Sequence, residues 1–180
     1  MLERFSRFDA KPISTPLSTH FKLSLQLCPS LDKELEYMFK VPYANAIGCL
    51  MYLMVCTRPD ISHAVNVVSR YMADPGKEHW NAVKWIFRYL TGTHDFGILF
   101  DQRASTEAMG YVDSNYAGDL DSRKSMTGYV FRFAGGPICR KSTLQDVVAL
   151  STTEAKYMAM TEAGKEAVWL SGLVNELGFK

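Results

Sequence analysis

The sequence predicts an α+β protein in which a helical segment precedes a small antiparallel sheet backed by one long helix. Three observations carry that reading. Apolar residues recur at helical spacing through residues 43–90, three segments rich in aromatic and β-branched residues follow between 108 and 150, and one apolar stripe runs from 155 to 177. With 180 residues, 47% hydrophobic and 22% charged, the chain suits one or two small domains. The pattern divides it into an extended, partly disordered linker over 1–40, a helical subdomain over 41–96, and a sheet-and-helix unit over 97–180.

Pro12, Pro16 and Pro29, interspersed with Ser14, Thr15, Ser18 and Thr19, predict the linker, with Phe5, Phe8 and Leu17 docking on a neighbour. Ala44, Ile47, Leu50, Met51, Met54 and Val55 predict a buried helix over 43–56. Thr57-Arg58-Pro59-Asp60 then stops it and starts another, with Thr57 as cap, Pro59 in the first turn and Asp60 at the positive helix end. A third helix, over 77–90, puts Trp80, Val83, Phe87 and Leu90 on one face and Lys77, Asn81, Lys84 and Arg88 on the other. That second face reads either as a basic track for nucleic-acid phosphates, carried by Lys77, Lys84 and Arg88, or as an ordinary solvated face. A near-neutral chain favours the latter, because 20 basic against 19 acidic residues leave a net charge of +1.

In the second unit, residues 97–100 predict a strand leading into three more, over 108–114, 128–134 and 137–150, with Gly135-Gly136 as a hairpin turn. Residues 146–150 read as a strand passing directly into the long helix. Ser151, Thr152 and Thr153 offer hydroxyl caps for a helix starting near Glu154, and Ala155, Met158, Ala159, Ala163, Ala167, Leu170, Leu173, Val174 and Leu177 form its buried stripe.

Cys28, Cys49, Cys56 and Cys139 show neither Cys-x-x-Cys pairing nor zinc spacing to histidine, so free, mostly buried thiols are expected. His63, His79 and His94 lack a nucleophile or carboxylate at useful spacing and read as packing or surface residues. No run of about 18 apolar residues occurs, so no membrane partner is expected, and the opening residues lack the apolar core of a conventional secretory signal.

Several long motifs, in order, carry a family resemblance. Tyr43-Ala-Asn-Ala-Ile-Gly-Cys-Leu-Met-Tyr52, Thr57-Arg-Pro-Asp-Ile-Ser-His-Ala-Val65 and His79-Trp-Asn-Ala-Val-Lys-Trp-Ile-Phe-Arg-Tyr-Leu-Thr-Gly-Thr93 precede Gly110-Tyr-Val-Asp-Ser-Asn-Tyr-Ala-Gly-Asp-Leu-Asp-Ser-Arg-Lys-Ser-Met-Thr-Gly-Tyr-Val-Phe131 and the 147–160 stretch. Together they resemble the connection segment and the first half of the ribonuclease H domain of copia-type retrotransposon Pol polyproteins. The resemblance implies a helical connection followed by an incomplete ribonuclease H-like unit, a three-stranded antiparallel sheet with one long helix.

The resemblance also implies two magnesium ions held by carboxylates, since a hard cation wants oxygen ligands. Asp113 matches the family's first catalytic aspartate. Where the family reads Glu-Ala-Glu-Tyr, this chain reads Glu154-Ala155-Lys156-Tyr157, so Lys156 stands in the place of a metal-binding glutamate. Glu154 cannot replace it, because two helical residues turn a side chain by about 200°. At an effective dielectric near 20, unit charges about 4 Å apart interact by roughly 4 kcal/mol, so a lysine there opposes cation binding. The family's later ligands would follow Lys180. The expectation is therefore a lapsed nuclease that needs no cofactor and has no intact catalytic residue.

Asp119, Asp121, Arg123 and Lys124 match a charged loop of the family and are expected to form Asx-type turns. In the family a further strand pairs with the first, so 108–114 should present an open edge at Tyr111, Val112 and Asp113, recruiting a strand from a partner or a second copy. Similar stand-alone fragments include secreted RxLR-type effectors of oomycete plant pathogens, which work in the host cytoplasm or nucleus. No Arg-x-Leu-Arg occurs here; Arg88-Tyr-Leu-Thr91 matches in part and no Glu-Glu-Arg follows. The sequence thus admits an inactive transposon-derived interaction protein with an unidentified, in the effector case host, protein partner and residual nucleic-acid contact. It also admits a polyprotein segment that is active only when completed.

Overall fold

A computed structural model describes residues 2–5, 10–101, 103 and 107–179. The chain divides into two compact units, Met1–Gly97 and Ile98–Lys180. The first is helical: α1 (Asp32–Phe39), α2 (Tyr43–Cys56), α3 (Ser62–Ser69) and α4 (Lys77–Gly92), with short 3₁₀ turns at Glu3–Phe5, Leu25–Leu27 and Pro59–Ile61. The second is a sheet of β1 (Met109–Asn115), β2 (Met126–Phe133) and β3 (Gly136–Leu144), followed by α5 (Thr152–Glu176).

The apolar stripes read from the sequence meet in the first unit. Ile47 and Leu50 of α2, Val65 and Val68 of α3, and Val83, Ile86 and Phe87 of α4 are buried together with Ile61. The start of α4 is fixed by His79, whose Nδ1 accepts the Gly76 N–H at 2.8 Å. Its other ring nitrogen therefore carries the proton, 3.2 Å from the Ser24 carbonyl. Only glycine fits at position 76, because a Cβ there would lie 1.8 Å from the Leu27 carbonyl oxygen.

Several expectations change. Thr57 closes α2 rather than capping the next helix, and Arg58 is buried. Its guanidinium holds Asp60 at 2.6 and 3.0 Å and donates to the Thr93 carbonyl at 2.7 Å and hydroxyl at 2.6 Å. Tyr89 adds a hydrogen bond to Asp60 at 2.7 Å, so this aspartate serves a buried network more than a helix end. Instead of a free linker, residues 10–24 run along α4. Trp85 donates to the Thr15 carbonyl at 2.9 Å, Arg88 to the Lys11 carbonyl at 2.8 Å, and Leu23 enters the core. Phe5 stacks on Phe87 at 5.1 Å and Leu17 packs on the same cluster, while Phe8 lies outside the described residues.

The sheet order is β1-β2-β3, all antiparallel. The hairpin turn is Ala134-Gly135, at φ 49° and 79°, with Gly136 already paired to Phe133. Two successive positive φ values match the right-handed strand twist. A Cβ at Gly136 would lie 2.6 Å from the Phe100 ring, which would have to shift. Residues 97–100 and 146–150 are not strands. Their β-branched and aromatic content suits a sheet, but no ladder partner lies beside them among the described residues, and Leu99 and Leu150 are exposed.

The α5 caps follow the sequence closely. The Ser151 hydroxyl accepts the Glu154 N–H at 3.1 Å, and the Glu154 carboxylate accepts the Leu150 N–H at 2.6 Å. The far end closes as a Schellman motif: Gly178 at φ 83°, its N–H on the Asn175 carbonyl at 3.0 Å and the Phe179 N–H on the Val174 carbonyl at 3.1 Å.

Two predictions concern the first unit. Arg58→Ala strands the Asp60 carboxylate and the Thr93 carbonyl, and should lower the urea-unfolding free energy followed by tryptophan fluorescence by about 2–4 kcal/mol. The pH dependence has a definite sign. Burial, with the nearby Arg70 charge, pushes the His63 imidazole below its ordinary value. The unfolded chain therefore takes up this proton first, and stability falls as pH drops below about 6.5. Burial would raise the Asp60 carboxyl, but hydrogen bonds from Arg58 and Tyr89 outweigh it and hold it low. That contribution persists above the ordinary carboxylate range and is lost only at more acid pH. Denaturation from pH 7.5 to 5 should show the first slope, reduced in His63→Gln.

Candidate functional site

Cross-strand register decides where the motif residues point. Directly paired residues share a face of the sheet. Tyr129 and Phe131 pack with Ala163 and Leu170 of α5, so their β1 partners, Val112 and Gly110, lie on the helix side. A Cβ at Gly110 would meet the Phe131 ring at 2.5 Å, which places that ring over the glycine. Asp113 pairs with Gly128 and Tyr111 with Val130, so both face away from α5. The Asp113 carboxylate is exposed and accepts the Ser114 N–H at 2.8 Å.

Lys156 is exposed on α5, the helix that packs on β1 and β2. Among the described residues, no three His, Cys, Asp or Glu side chains converge as a cation site. The donor set present does not fit the magnesium pair that the family resemblance implies: one exposed aspartate on one face of the sheet, and a lysine on the helix that covers the other.

β1 is a sheet edge, pairing with β2 alone among the described residues, and Tyr111, Val112 and Asp113 are all exposed along it. The basic residues of α4 are differently placed. Lys77 lies 3.7 Å from Glu34 and over the Tyr37 ring, and Arg88 reaches the Lys11 carbonyl while stacking over Trp85. Lys84 is half-buried. Lys77 and Arg88 are thus contacted by the first unit's own chain. In the charged loop the buried Asp119 carboxylate accepts the Ser122 N–H at 2.8 Å, three residues on rather than the two of an Asx turn, and Arg123 sits at φ 58°.

Sequence reasoning missed the polar contacts that fasten α5 to the sheet. The Gln145 amide donates to the Thr127 hydroxyl at 3.1 Å and the Ala155 carbonyl at 2.9 Å. Glu166 accepts from the Cys139 thiol at 2.9 Å and the Tyr129 hydroxyl at 3.4 Å, and Glu162 pairs with Lys141 at 3.4 Å. Burial, then Glu166, raises the Tyr129 hydroxyl to about 12 and the Cys139 thiol to about 11. Both groups are protonated at neutral pH and poor as nucleophile or base. Glutamates at 162 and 166 on an otherwise buried-looking helix were the available signal, but only the fold shows what they face. A cavity of about 340 Å³ lies here, lined among others by Lys141, Gln145, Met158 and Glu162.

The cysteines are less buried than expected, with Cys28, Cys49 and Cys139 half-buried and Cys56 exposed. Iodoacetamide at pH 8 should therefore modify Cys56 readily and Cys139 at least tenfold more slowly, read by peptide mass spectrometry; Glu166→Gln should narrow the difference. Among the described residues no single helix is long and apolar enough to cross a membrane.

Comparison with known proteins follows the motifs. The chain is 57% identical over 178 residues, 99% of its length, to the Retrovirus-related Pol polyprotein from transposon TNT 1-94 of Nicotiana tabacum. It is 38% identical over its whole length to the corresponding polyprotein from transposon RE2 of Arabidopsis thaliana. It spans only 13% and 12% of those two polyproteins. It is also 47% identical over 134 residues, 74% of this chain and 94% of the relative, to Secreted RxLR effector protein 161 of Plasmopara viticola. No family model matches the chain, and no solved structure matches it.

Proposed function

Because the chain belongs to the copia-type retrotransposon Pol family, we propose that it is a Pol-derived interaction module without a working ribonuclease H centre of its own. The observation that carries this reading is the contrast within β1. Its outer edge has no strand partner among the described residues, while its one carboxylate, Asp113, is exposed on the face away from α5 and belongs to no cluster of three His, Cys, Asp or Glu side chains among them. A two-metal hydrolysis needs several oxygen ligands around one point. An edge strand needs only its unpaired backbone N–H and C=O groups to take up another strand, and its alternate side chains then select the partner.

The effector form of this reading, a secreted protein acting through a host protein, is supported by the 47% identity to an RxLR effector over 94% of that protein's length. A second reading rests on the 57% identity to a Pol polyprotein over 99% of this chain. In it the chain is the connection and ribonuclease H segment of such a polyprotein, hydrolysing RNA in RNA–DNA hybrids when segments beyond these residues complete the site. Lys156 weighs against that reading, standing where the family motif has a metal-binding glutamate.

Residues 1–180 incubated with magnesium and an RNA–DNA hybrid should release no product above background, and Lys156→Glu should not restore cleavage. Magnesium-dependent cleavage abolished by Asp113→Asn would overturn the proposal and favour the second reading. On the interaction side, a photoreactive residue at position 112 should give discrete protein adducts that the same residue at position 165 does not.

A further inference from the structure

The cavity between β3 and α5 carries, on its buried wall, one hydrogen-bond acceptor and one donor that the chain itself leaves unmatched. We propose that it binds a small uncharged ligand with a cis-amide edge, a lactam or a primary carboxamide. The ligand N–H donates to the Gln145 side-chain oxygen, and the ligand carbonyl accepts from the Thr127 hydroxyl. The site lies within the second unit and is independent of what pairs with β1.

Pairing register builds the walls. Tyr129 packs on α5, and Thr127, two residues before it, lies on the same face of the sheet. Thr143 pairs with Thr127 and Lys141 with Tyr129, so these β3 residues face the helix as well. Opposite them, Met158, Thr161 and Glu162 stand three and four residues apart on one flank of α5. The space they enclose is about 340 Å³, within the range of small-molecule sites.

The unmatched groups are both on this wall. Gln145 is 7% exposed and Thr127 2%. The Gln145 nitrogen spends one proton on the Thr127 hydroxyl and the other on the Ala155 carbonyl. A carbonyl only accepts, so the amide cannot be turned over, and its oxygen is the group left buried without a partner among the described residues. The Thr127 oxygen accepts from Gln145, and among the described residues nothing accepts its own proton. Acceptor and donor therefore stand side by side, as the N–H and C=O of a cis-amide do; a trans-amide turns them to opposite sides.

Charge argues for a neutral ligand. The Lys141–Glu162 pair, at 3.4 Å, lies at the rim, its side chains 43% and 41% exposed. The buried wall offers only an amide and a hydroxyl, so an ionic head there would lose its hydration without a counter-charge. A bridging water could meet both groups, but a water takes only about 30 Å³ in the liquid, so the cavity has room for a ligand of several heavy atoms. Leu144 and Met158 line it and suit a carbon skeleton.

The test uses the full chain, followed by two-dimensional NMR while 2-pyrrolidinone is added. Saturable shifts should centre on Thr127 and the Gln145 side-chain NH2. N-methyl-2-pyrrolidinone, which lacks the N–H, should bind at least tenfold more weakly, because it leaves the buried acceptor unmet. Thr161→Trp, at an exposed position on the helix wall, should fill the space and abolish the shifts with unchanged circular dichroism. The two lactams are compared on the unaltered chain, so the outcome stands even where the variant fails to fold. An equal response to both lactams, or no saturable shift at millimolar lactam, overturns the proposal. A long-lived water beside the Gln145 side chain that the lactam does not displace overturns it too, since solvent then satisfies the wall.

Discussion

The second unit depends on one constraint: a single helix must cover a three-stranded sheet. A helix is about 10–12 Å across with its side chains, close to the distance from the first strand to the third. Ala155, Ala159 and Ala163 keep α5 near the strands, and Leu170 with Tyr129 and Phe131 fills the space that remains. Since α5 lies over β1 and β2, β3 is covered less well. The cavity opens there, and Lys141, Cys139 and Gln145 reach the helix through polar groups rather than through apolar packing.

The first unit solves a different problem. Its helices are short and joined by tight turns, so buried polar groups carry the connections. Arg58 joins the end of α2 to the end of α4 through Thr93, and Asp60 and Tyr89 complete its hydrogen bonds. Such a network is demanding, since each missing partner leaves a desolvated group behind. His79 does the same at the other end of α4, and the chain over 10–24 is held along that helix by two carbonyls that accept from Trp85 and Arg88.

These two solutions bear on function in opposite ways. The first unit draws Trp85 and Arg88 of α4 into contacts with its own leading segment. The second sets β1 at the edge of its sheet, among the described residues. Chemistry by hydrolysis needs carboxylates gathered at a point, and the register of β1 against β2 turns Asp113 to the face that α5 does not cover. Association needs far less, only backbone groups and a compatible pattern of side chains.

The sequence by itself determined the class of fold, the helices at 43–56 and 77–90, the order of three strands, the capping serine of α5 and the family. Each of these rests on local periodicity, cap chemistry or long ordered motifs, which are properties of neighbours along the chain. It misread 97–100 and 146–150 as strands because β-propensity becomes a strand only when a ladder partner is present, and the partner is a tertiary fact. It named Lys156 and Asp113 by motif alone, whereas the face of the sheet on which Asp113 lies follows from pairing register. The bonds from Arg58 to Thr93, Gln145 to Ala155 and Cys139 to Glu166 were equally hidden, because they join residues 10 to 35 positions apart. What the tertiary structure decided was which groups meet inside each unit and which strand lies at the edge of the sheet among the described residues.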